Sequence, residues 1–176
     1  MEKTDDPDER DLRRRLLAKR MVSHRARTQT IWQFTGISRH RLETLRMRWG
    51  VSSLDRRRGP SPTSINEFFR NARCHQLATT AALFCQLLDV LPKDGAGSRG
   101  RLISLEAGEL LCSAYEALHT CFPEAHIEFE QLVLLARALA EGSVLQLGLC
   151  QQCGAAILVD RLAALRAVCR PDCVNC

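Results

Sequence analysis

The C-terminal end of the chain carries two Cys-x-x-Cys pairs, and this feature limits the possible fold more than any other. Cys150 and Cys153 form the first pair, and Cys173 and Cys176 form the second pair after 19 intervening residues. Two residues between cysteines let the chain turn once and direct two thiolates at one ion, which a second pair then encloses. Gly154 follows the first pair and suits the left-handed backbone of such a turn. The spacing therefore predicts one structural Zn²⁺ with Cys150, Cys153, Cys173 and Cys176 as its ligands.

Two alternatives to this ligand set stay open. Cys169 and Cys173 form a rival second pair with three residues between them, although the spacing of Cys173 and Cys176 matches the first pair. The cysteines could also form disulfides or a redox dithiol. The chain has nine cysteines, an odd number, and an acidic, polar N-terminus without the apolar core of a secretory signal. We therefore expect a reducing cytoplasm, where paired cysteines indicate a metal site.

The composition favours helices. Of the 176 residues, 45% are hydrophobic but only 5% are aromatic, so the core must consist mainly of Leu, Ala, Ile and Val. Few β-branched runs occur, and no apolar run approaches the roughly 20 residues that span a bilayer. The sequence thus predicts a mainly α protein that does not enter a membrane.

Positive charge is concentrated in the first third of the chain. Residues 1–60 contain 16 Lys or Arg against 8 Asp or Glu, a balance of +8, whereas residues 61–176 have a balance of −3. A basic region of this kind is a candidate for binding a polyanion. The remainder of the chain, residues 61–176, is predicted to be a structural scaffold.

Residues 28–42 resemble a helix-turn-helix motif. One helix is expected to end near Phe34, Gly36 lies where the turn needs a residue that tolerates positive φ, and Ser38 is a good N-cap for a second helix. Trp32 occupies a position where such motifs often keep a small residue. The sequence predicts two short helices here, with an interhelix angle that can differ from the usual one.

The second of these helices, over residues 39–49, has one apolar face between two rows of arginine. At about 100° per residue, Leu42, Leu45 and Trp49 share an arc that would face the core. The predicted DNA-contacting residues on the remaining surface are Arg39, His40, Arg41, Thr44, Arg46 and Arg48. A helix with this pattern can lie in a groove between two phosphate strands. The alternative is a solvated basic face on an ordinary surface helix.

A boundary follows at residues 55–62, where two prolines and a glycine stop helices. It contains three consecutive arginines, Arg56, Arg57 and Arg58, which would form a phosphate-binding arm or would only keep a linker soluble. The chain accordingly divides into basic N-terminal helices (residues 1–58, with a first helix at 9–23), a helical core (59–142) and a zinc-ribbon module (143–176).

Three helices are predicted for the core, packed antiparallel. The first runs from Ser64 over residues 64–91, the second begins at Ser104 and stops before Pro123, and the third covers residues 127–141 and ends at Gly142. Four cysteines within these helices are predicted to be small core residues, namely Cys74, Cys85, Cys112 and Cys121. Three histidines are expected at the surface or its boundary, namely His75, His119 and His126. No catalytic constellation stands out, so an enzyme is not predicted.

The first cysteine pair lies in a predicted β-hairpin. Residues 144–149 alternate toward Cys150, and residues 155–159 follow the turn, which is the start of a zinc ribbon. The stretch of residues 160–168 is predicted to be either a short helix or a second hairpin before the last pair.

These pieces, in this order, resemble the FlhC family of bacterial flagellar transcriptional activators. The similarity covers most of the chain from about residue 27 onward. It is strongest over residues 35–42 and 132–154, where the chain enters Cys-x-x-Cys-Gly, and it includes the terminal Cys-x-x-Cys. Members of that family usually continue into a basic tail after the last cysteine, so weaker metal or DNA affinity is expected here.

This resemblance implies a cytoplasmic DNA-binding activator with one structural Zn²⁺ on Cys150, Cys153, Cys173 and Cys176. It further implies a hetero-hexamer with the small helical protein FlhD, which binds double-stranded promoter DNA of flagellar operons and recruits sigma-70 RNA polymerase. The alternative function is a helical protein-binding adaptor that has a zinc ribbon but makes no direct DNA contact.

Overall fold

A computed structural model of the chain describes residues 6–52, 59–91 and 102–162. In these ranges the α-helices are α1 (Pro7–Ser23), α2 (Thr28–Thr35), α3 (Arg39–Arg48), α4 (Ala72–Leu87), α5 (Leu105–Cys121) and α6 (Phe129–Glu141), and the strands are β1 (Leu145–Leu149) and β2 (Ala156–Asp160). A short 3-10 helix, Ile65–Phe69, precedes α4. The mainly helical class is confirmed. None of the helices in the described ranges is both long and apolar enough to cross a membrane.

Local signals determine most helix ends. The side chains of Ser38 and Ser104 accept hydrogen bonds from the backbone N–H groups of the third helical residue of α3 and α5, which caps both helices. Gly36 (φ +70°) and Gly142 (φ +62°) end α2 and α6 in the left-handed conformation. These four predicted positions are confirmed.

The expected helix over residues 64–91 is wrong, because the chain breaks before α4. Asn71 has an extended backbone, and its Oδ1 accepts a hydrogen bond from the backbone N–H of Cys74 at 2.8 Å, so it starts a new helix. Ser64 caps only the short 3-10 helix. An asparagine competes with helix continuation by this bonding, which the apolar periodicity of the segment does not reveal. Helix α4 also ends earlier than expected, at Leu87.

Helix α1 joins the basic N-terminal part to the scaffold. It packs on α2 and α5, and two bidentate ion pairs tie it to α5, Arg13 to Glu109 and Arg20 to Glu116, each with a shorter contact of 2.7 Å. Both pairs have a sequence separation of 96 residues, so the two helices run side by side in the same direction. Gly108 permits this close approach, since a Cβ there would lie 2.8 Å from Cδ2 of Leu17.

Helices α4, α5 and α6 pack against one another, and the β-hairpin lies on α4 and α6. Strands β1 and β2 are antiparallel, with Leu147 opposite Leu158, as predicted for the segment around the first cysteine pair. Two side chains of α4 hold the backbone of Leu158: His75 Nε2 donates to its carbonyl at 2.7 Å, and Thr79 Oγ1 accepts from its N–H at 3.0 Å. His75 is therefore buried, and its predicted position at the surface or its boundary is wrong.

The four core cysteines divide into two classes. Cys85 and Cys112 are buried among apolar side chains, as predicted, and burial raises the pKa of each thiol to about 12. Cys121 is exposed and Cys74 is only half-buried, so the prediction of core positions is wrong for these two. Thiols with so high a pKa carry little thiolate at neutral pH, which makes Cys85 and Cys112 packing residues.

Candidate nucleic-acid interface and metal-ligating turn

Helices α2 and α3 are joined by a turn of three residues. The backbone N–H of Gly36 donates to the carbonyl of Trp32 at 2.8 Å and closes α2, and Ile37 is buried beneath the turn. The N–H of Ile37 also donates to Oγ1 of Thr35 at 3.2 Å. Ser38 then starts α3. The turn is thus fixed by hydrogen bonds and by one apolar side chain on its inner side.

A buried carboxylate from the scaffold holds the start of α2. Glu130 of α6 accepts hydrogen bonds from the backbone N–H of Arg27 and from Oγ1 of Thr30, both at 2.8 Å. The N-cap residue Arg27 supplies no side-chain cap, and Glu130 instead holds this end of α2 from another helix through the N–H of Arg27 and the hydroxyl of Thr30. Sequence reasoning missed this residue, because the two partners lie about a hundred positions apart in the chain.

Helix α3 turns the predicted apolar face toward the core. Leu42 and Leu45 are buried in the core, and Trp49 packs against it. Arg39, His40, Arg41 and Arg48 are exposed, and Thr44 is half-exposed. Within the described part of the chain, Arg39 and Arg48 form no ion pair, which leaves both guanidinium groups able to meet a phosphate.

Arg46 departs from the predicted arrangement. Its side chain is only 4% exposed, and its Nη1 donates to Oγ1 of Thr28 at 3.0 Å and to Oε1 of Glu43 at 3.3 Å. The position lies one turn after buried Leu42, and the start of α2 covers it. Arg46 thus fixes α3 against α2 in this structure, and we remove it from the predicted DNA contacts.

Arg41 has a partner on α1. Its Nη2 lies 2.9 Å from Oδ2 of Asp11, and this hydrogen bond with the guanidinium holds the pKa of the Asp11 carboxyl below its usual range. The pair is largely exposed, so it is weak and can open when a phosphate competes for the guanidinium.

The remaining predicted DNA contacts, Arg56, Arg57 and Arg58, lie outside the described residues, and so do the second-pair cysteines Cys169, Cys173 and Cys176. The predicted alternatives for residues 160–168 also fall largely outside them.

The first cysteine pair lies on a tight turn between β1 and β2. The N–H of Cys150 donates to the carbonyl of Ala155 at 2.8 Å, and the N–H of Gly154 donates back to the carbonyl of Cys150 at 2.9 Å. Gly154 has φ +72°, as predicted, a value that residues with a Cβ rarely adopt. Cys150 is buried and Cys153 is half-buried.

A turn of this kind fits thiolate ligation. Two cysteines in one short, hydrogen-bonded loop match the soft donors that Zn²⁺ prefers, and the second pair needed for four-coordination lies outside the described ranges. Among the described residues alone, no group of three or more metal-ligating side chains comes together. The described half of the predicted site therefore consists of Cys150 and Cys153.

Comparison with known proteins gives no family for this chain. No family model matches it, and no curated protein matches its sequence.

Proposed function

We propose that this protein is a DNA-binding transcriptional activator, with the α2–α3 unit as a helix-turn-helix. The observation that carries the proposal is the α3 surface. Its N-terminal end presents Arg39 and His40 to solvent, its C-terminal end presents Arg48, and its opposite face is anchored in the core. This arrangement suits a recognition helix that enters the major groove by its N-terminal end while arginines flank it at the phosphates.

The scaffold supports this function by fixing the helix pair. Glu130 holds the first turn of α2, Arg137 of α6 donates to Oε1 of Gln33 at 2.6 Å, and Arg46 links α3 to the start of α2. A recognition helix must be held in a fixed orientation, because base contacts depend on the register that the rest of the interface sets.

By its resemblance to the FlhC family, the chain would act in a cytoplasmic hetero-hexamer with FlhD at flagellar promoters and would recruit sigma-70 RNA polymerase. Zn²⁺ held by Cys150, Cys153, Cys173 and Cys176 would supply structural cross-linking of the C-terminal module. The hydrogen-bonded turn around Cys150 supports this role, and Cys169 remains the alternative to one of the last two ligands.

Salt dependence of DNA binding tests the proposal most directly. We expect the protein, with FlhD present, to bind a promoter duplex with an affinity that falls steeply as salt rises, because each neutralised phosphate contributes about 0.9 to the slope of log K against log salt. The double variant Arg39→Gln, Arg48→Gln should bind more weakly and reduce that slope by about 2.

A matched control removes the same charge elsewhere. Arg70 and Arg73 are exposed near the start of α4, and their double replacement by Gln should leave the slope unchanged. A flat salt dependence of the unaltered protein, or equal effects of both double variants, would contradict the proposal.

Metal analysis tests the zinc component separately. We expect one Zn²⁺ per chain in reduced protein and its loss in Cys150→Ser, while Cys169→Ser keeps the metal if the second pair is Cys173 and Cys176. Retention of full zinc by Cys150→Ser would rule out the ligand set.

A protein-binding adaptor without DNA contact is the second candidate. The observation that favours it is the outer face of α1, where Leu12 and Leu16, one turn apart, are about half exposed. An apolar pair of this kind suits contact with another protein. No DNA binding even with FlhD present would favour this alternative.

A further inference from the structure

An open cleft of about 770 Å³ lies between α2, the start of α3 and the segment at residues 59–61. Its volume is within the range of sites that take nucleotide-sized groups. Arg27, the residue before α2, donates a hydrogen bond from its guanidinium to the carbonyl of Gly59. This bond attaches the segment at residues 59–61, which forms one side of the cleft, to the helix pair. The cleft thus opens beside the predicted DNA-contacting end of α3.

The described residues that line the cleft combine cationic, polar and aromatic groups. They are Arg27, Thr28, Gln29, Trp32, Ser38, Arg39, Gly59 and Ser61, and none carries a carboxylate. A lining with two guanidinium groups and no acid favours an anionic occupant. Hydroxyl and carboxamide groups provide further hydrogen bonds to oxygen atoms of that occupant.

Trp32 gives the cleft its particular character. The indole is 49% exposed, although large aromatic side chains of a scaffold are normally packed inside it. It lies one turn before Gly36, which ends α2, and α2 is the helix that a helix-turn-helix places near the DNA backbone. An exposed flat apolar surface next to cations matches a repeating polymer in which apolar sugar faces alternate with phosphates.

We propose that the Trp32 cleft holds the sugar-phosphate backbone of one strand of duplex DNA, with a deoxyribose against the indole and a neighbouring phosphate on Arg39. This inference depends on the proposed function, since it assigns a second contact region to the same interface. It also gives a reason for a bulky residue where such motifs keep a small one: the side chain points outward to the strand.

Affinity and salt slope together separate the indole contact from charge. In complex with FlhD, Trp32→Ala should weaken binding of a fluorescein-labelled duplex about tenfold, because about 50 Å² of apolar indole surface is then no longer buried against the sugar. The salt slope should stay as in the unaltered protein, since no phosphate contact is lost. Arg39→Gln should lower the slope by about 1. Trp32→Phe keeps a flat apolar face and should retain most of the affinity.

Leu87→Ala is the matched control, because Leu87 of α4 is 76% exposed and is not among the lining residues of the cleft. It should leave affinity and slope unchanged. Thermal unfolding followed by circular dichroism shows whether Trp32→Ala still folds.

Acrylamide quenching gives an independent readout. Duplex DNA should protect the indole of the unaltered protein from quenching. This protection should disappear in Trp32→Phe, which keeps only Trp49.

The outcomes are distinguishable. Equal affinity of Trp32→Ala and the unaltered protein, or unchanged quenching on DNA addition, would overturn the cleft assignment while leaving the DNA-binding proposal in place. A greater loss on single-stranded than on duplex DNA would overturn it in favour of base stacking. No DNA binding by the unaltered protein would remove both proposals.

Discussion

Three arginines of α3 have three different environments, although the sequence presents them alike. Arg46 is buried against the start of α2, Arg41 pairs with Asp11, and Arg39 is exposed beside the Trp32 cleft. Among the described contacts, Arg39 forms no ion pair, and the same holds for Arg48, the fourth arginine of this helix, so these two charges are directly available to a phosphate. Charge counting over residues 1–60 thus overestimates the charge that can bind DNA, because Arg13 and Arg20 also bind scaffold glutamates.

The Asp11–Arg41 pair gives the first prediction. Asp11→Asn removes the carboxylate that competes with phosphate for Arg41, so we expect higher DNA affinity and a salt slope steeper by about 1. Anisotropy titrations at several salt concentrations measure both. Asp8→Asn removes the same charge from the first turn of α1 and is the control. If both variants raise affinity equally, the effect is one of net charge and the pair has no specific role.

Gly108 gives a second prediction, on packing. A methyl group there would meet Cδ2 of Leu17 at 2.8 Å, Cε of Met21 at 3.1 Å and Cβ of Phe34 at 3.2 Å. The free-energy cost of this overpacking should exceed the gain of about 1 kcal/mol that alanine brings to a helix interior. Gly108→Ala should therefore lower the free energy of unfolding by about 1–2 kcal/mol net.

Urea unfolding measures this change, and Leu17→Val supplies the double-mutant comparison. The shorter side chain should reduce the cost of Gly108→Ala, because the two positions are in contact and their effects are then not additive. Strict additivity would show that α1 does not press on α5 at this position.

At the scale of elements, the sequence predicted helix ends better than helix continuity. Ser38, Ser104, Gly36 and Gly142 act through their own backbone neighbours, so a local pattern reveals them. The break at Asn71 was missed because the apolar residues on either side keep a helical spacing, and one side-chain hydrogen bond decides the conformation.

The α1–α5 contact gives a third prediction, on pH. Hydrogen bonds from Arg20 and then His24 hold the pKa of the Glu116 carboxyl below its usual range in the folded protein. The resulting stabilisation is complete above the ordinary glutamate pKa of about 4.3 and is lost as the pH falls through the lowered value. We expect thermal stability to decline in that acidic window, and Glu116→Gln should decline less.

Melting curves at several pH values below neutrality measure this difference. Glu124→Gln is the control, since Glu124 is exposed and is not one of the groups bonded to Arg20. An equal acid response in Glu116→Gln and the unaltered protein would mean that the pair with Arg20 does not contribute to holding α1 on α5.

At the scale of the whole molecule, the fold class and the hairpin around Cys150 follow from sequence, but the connections between parts do not. The α1–α5 ion pairs join residues 96 positions apart, and Glu130 reaches α2 over a similar distance. The sequence does contain one signal for the α1–α5 ion pairs, because Arg13 and Arg20 are seven residues apart and Glu109 and Glu116 have the same spacing. His75 bonds to the backbone of Leu158, 83 positions away, and this contact in space is absent from any local pattern.

The hairpin and the helices are coupled through Leu158, whose backbone binds His75 and Thr79 of α4 while its side chain is buried in the core. The cysteine turn lies at the far end of that hairpin, outside the helical core. We therefore expect that a zinc chelator lowers the melting temperature but keeps most of the far-ultraviolet helical signal at room temperature. Cys150→Ser should no longer respond to chelator, whereas Cys121→Ser, which removes an exposed thiol of α5, should respond like the unaltered protein.

Loss of the whole helical signal on chelation would mean that the metal is needed to form the core itself. The division into a helical body and a separate metal-bound module would then be wrong.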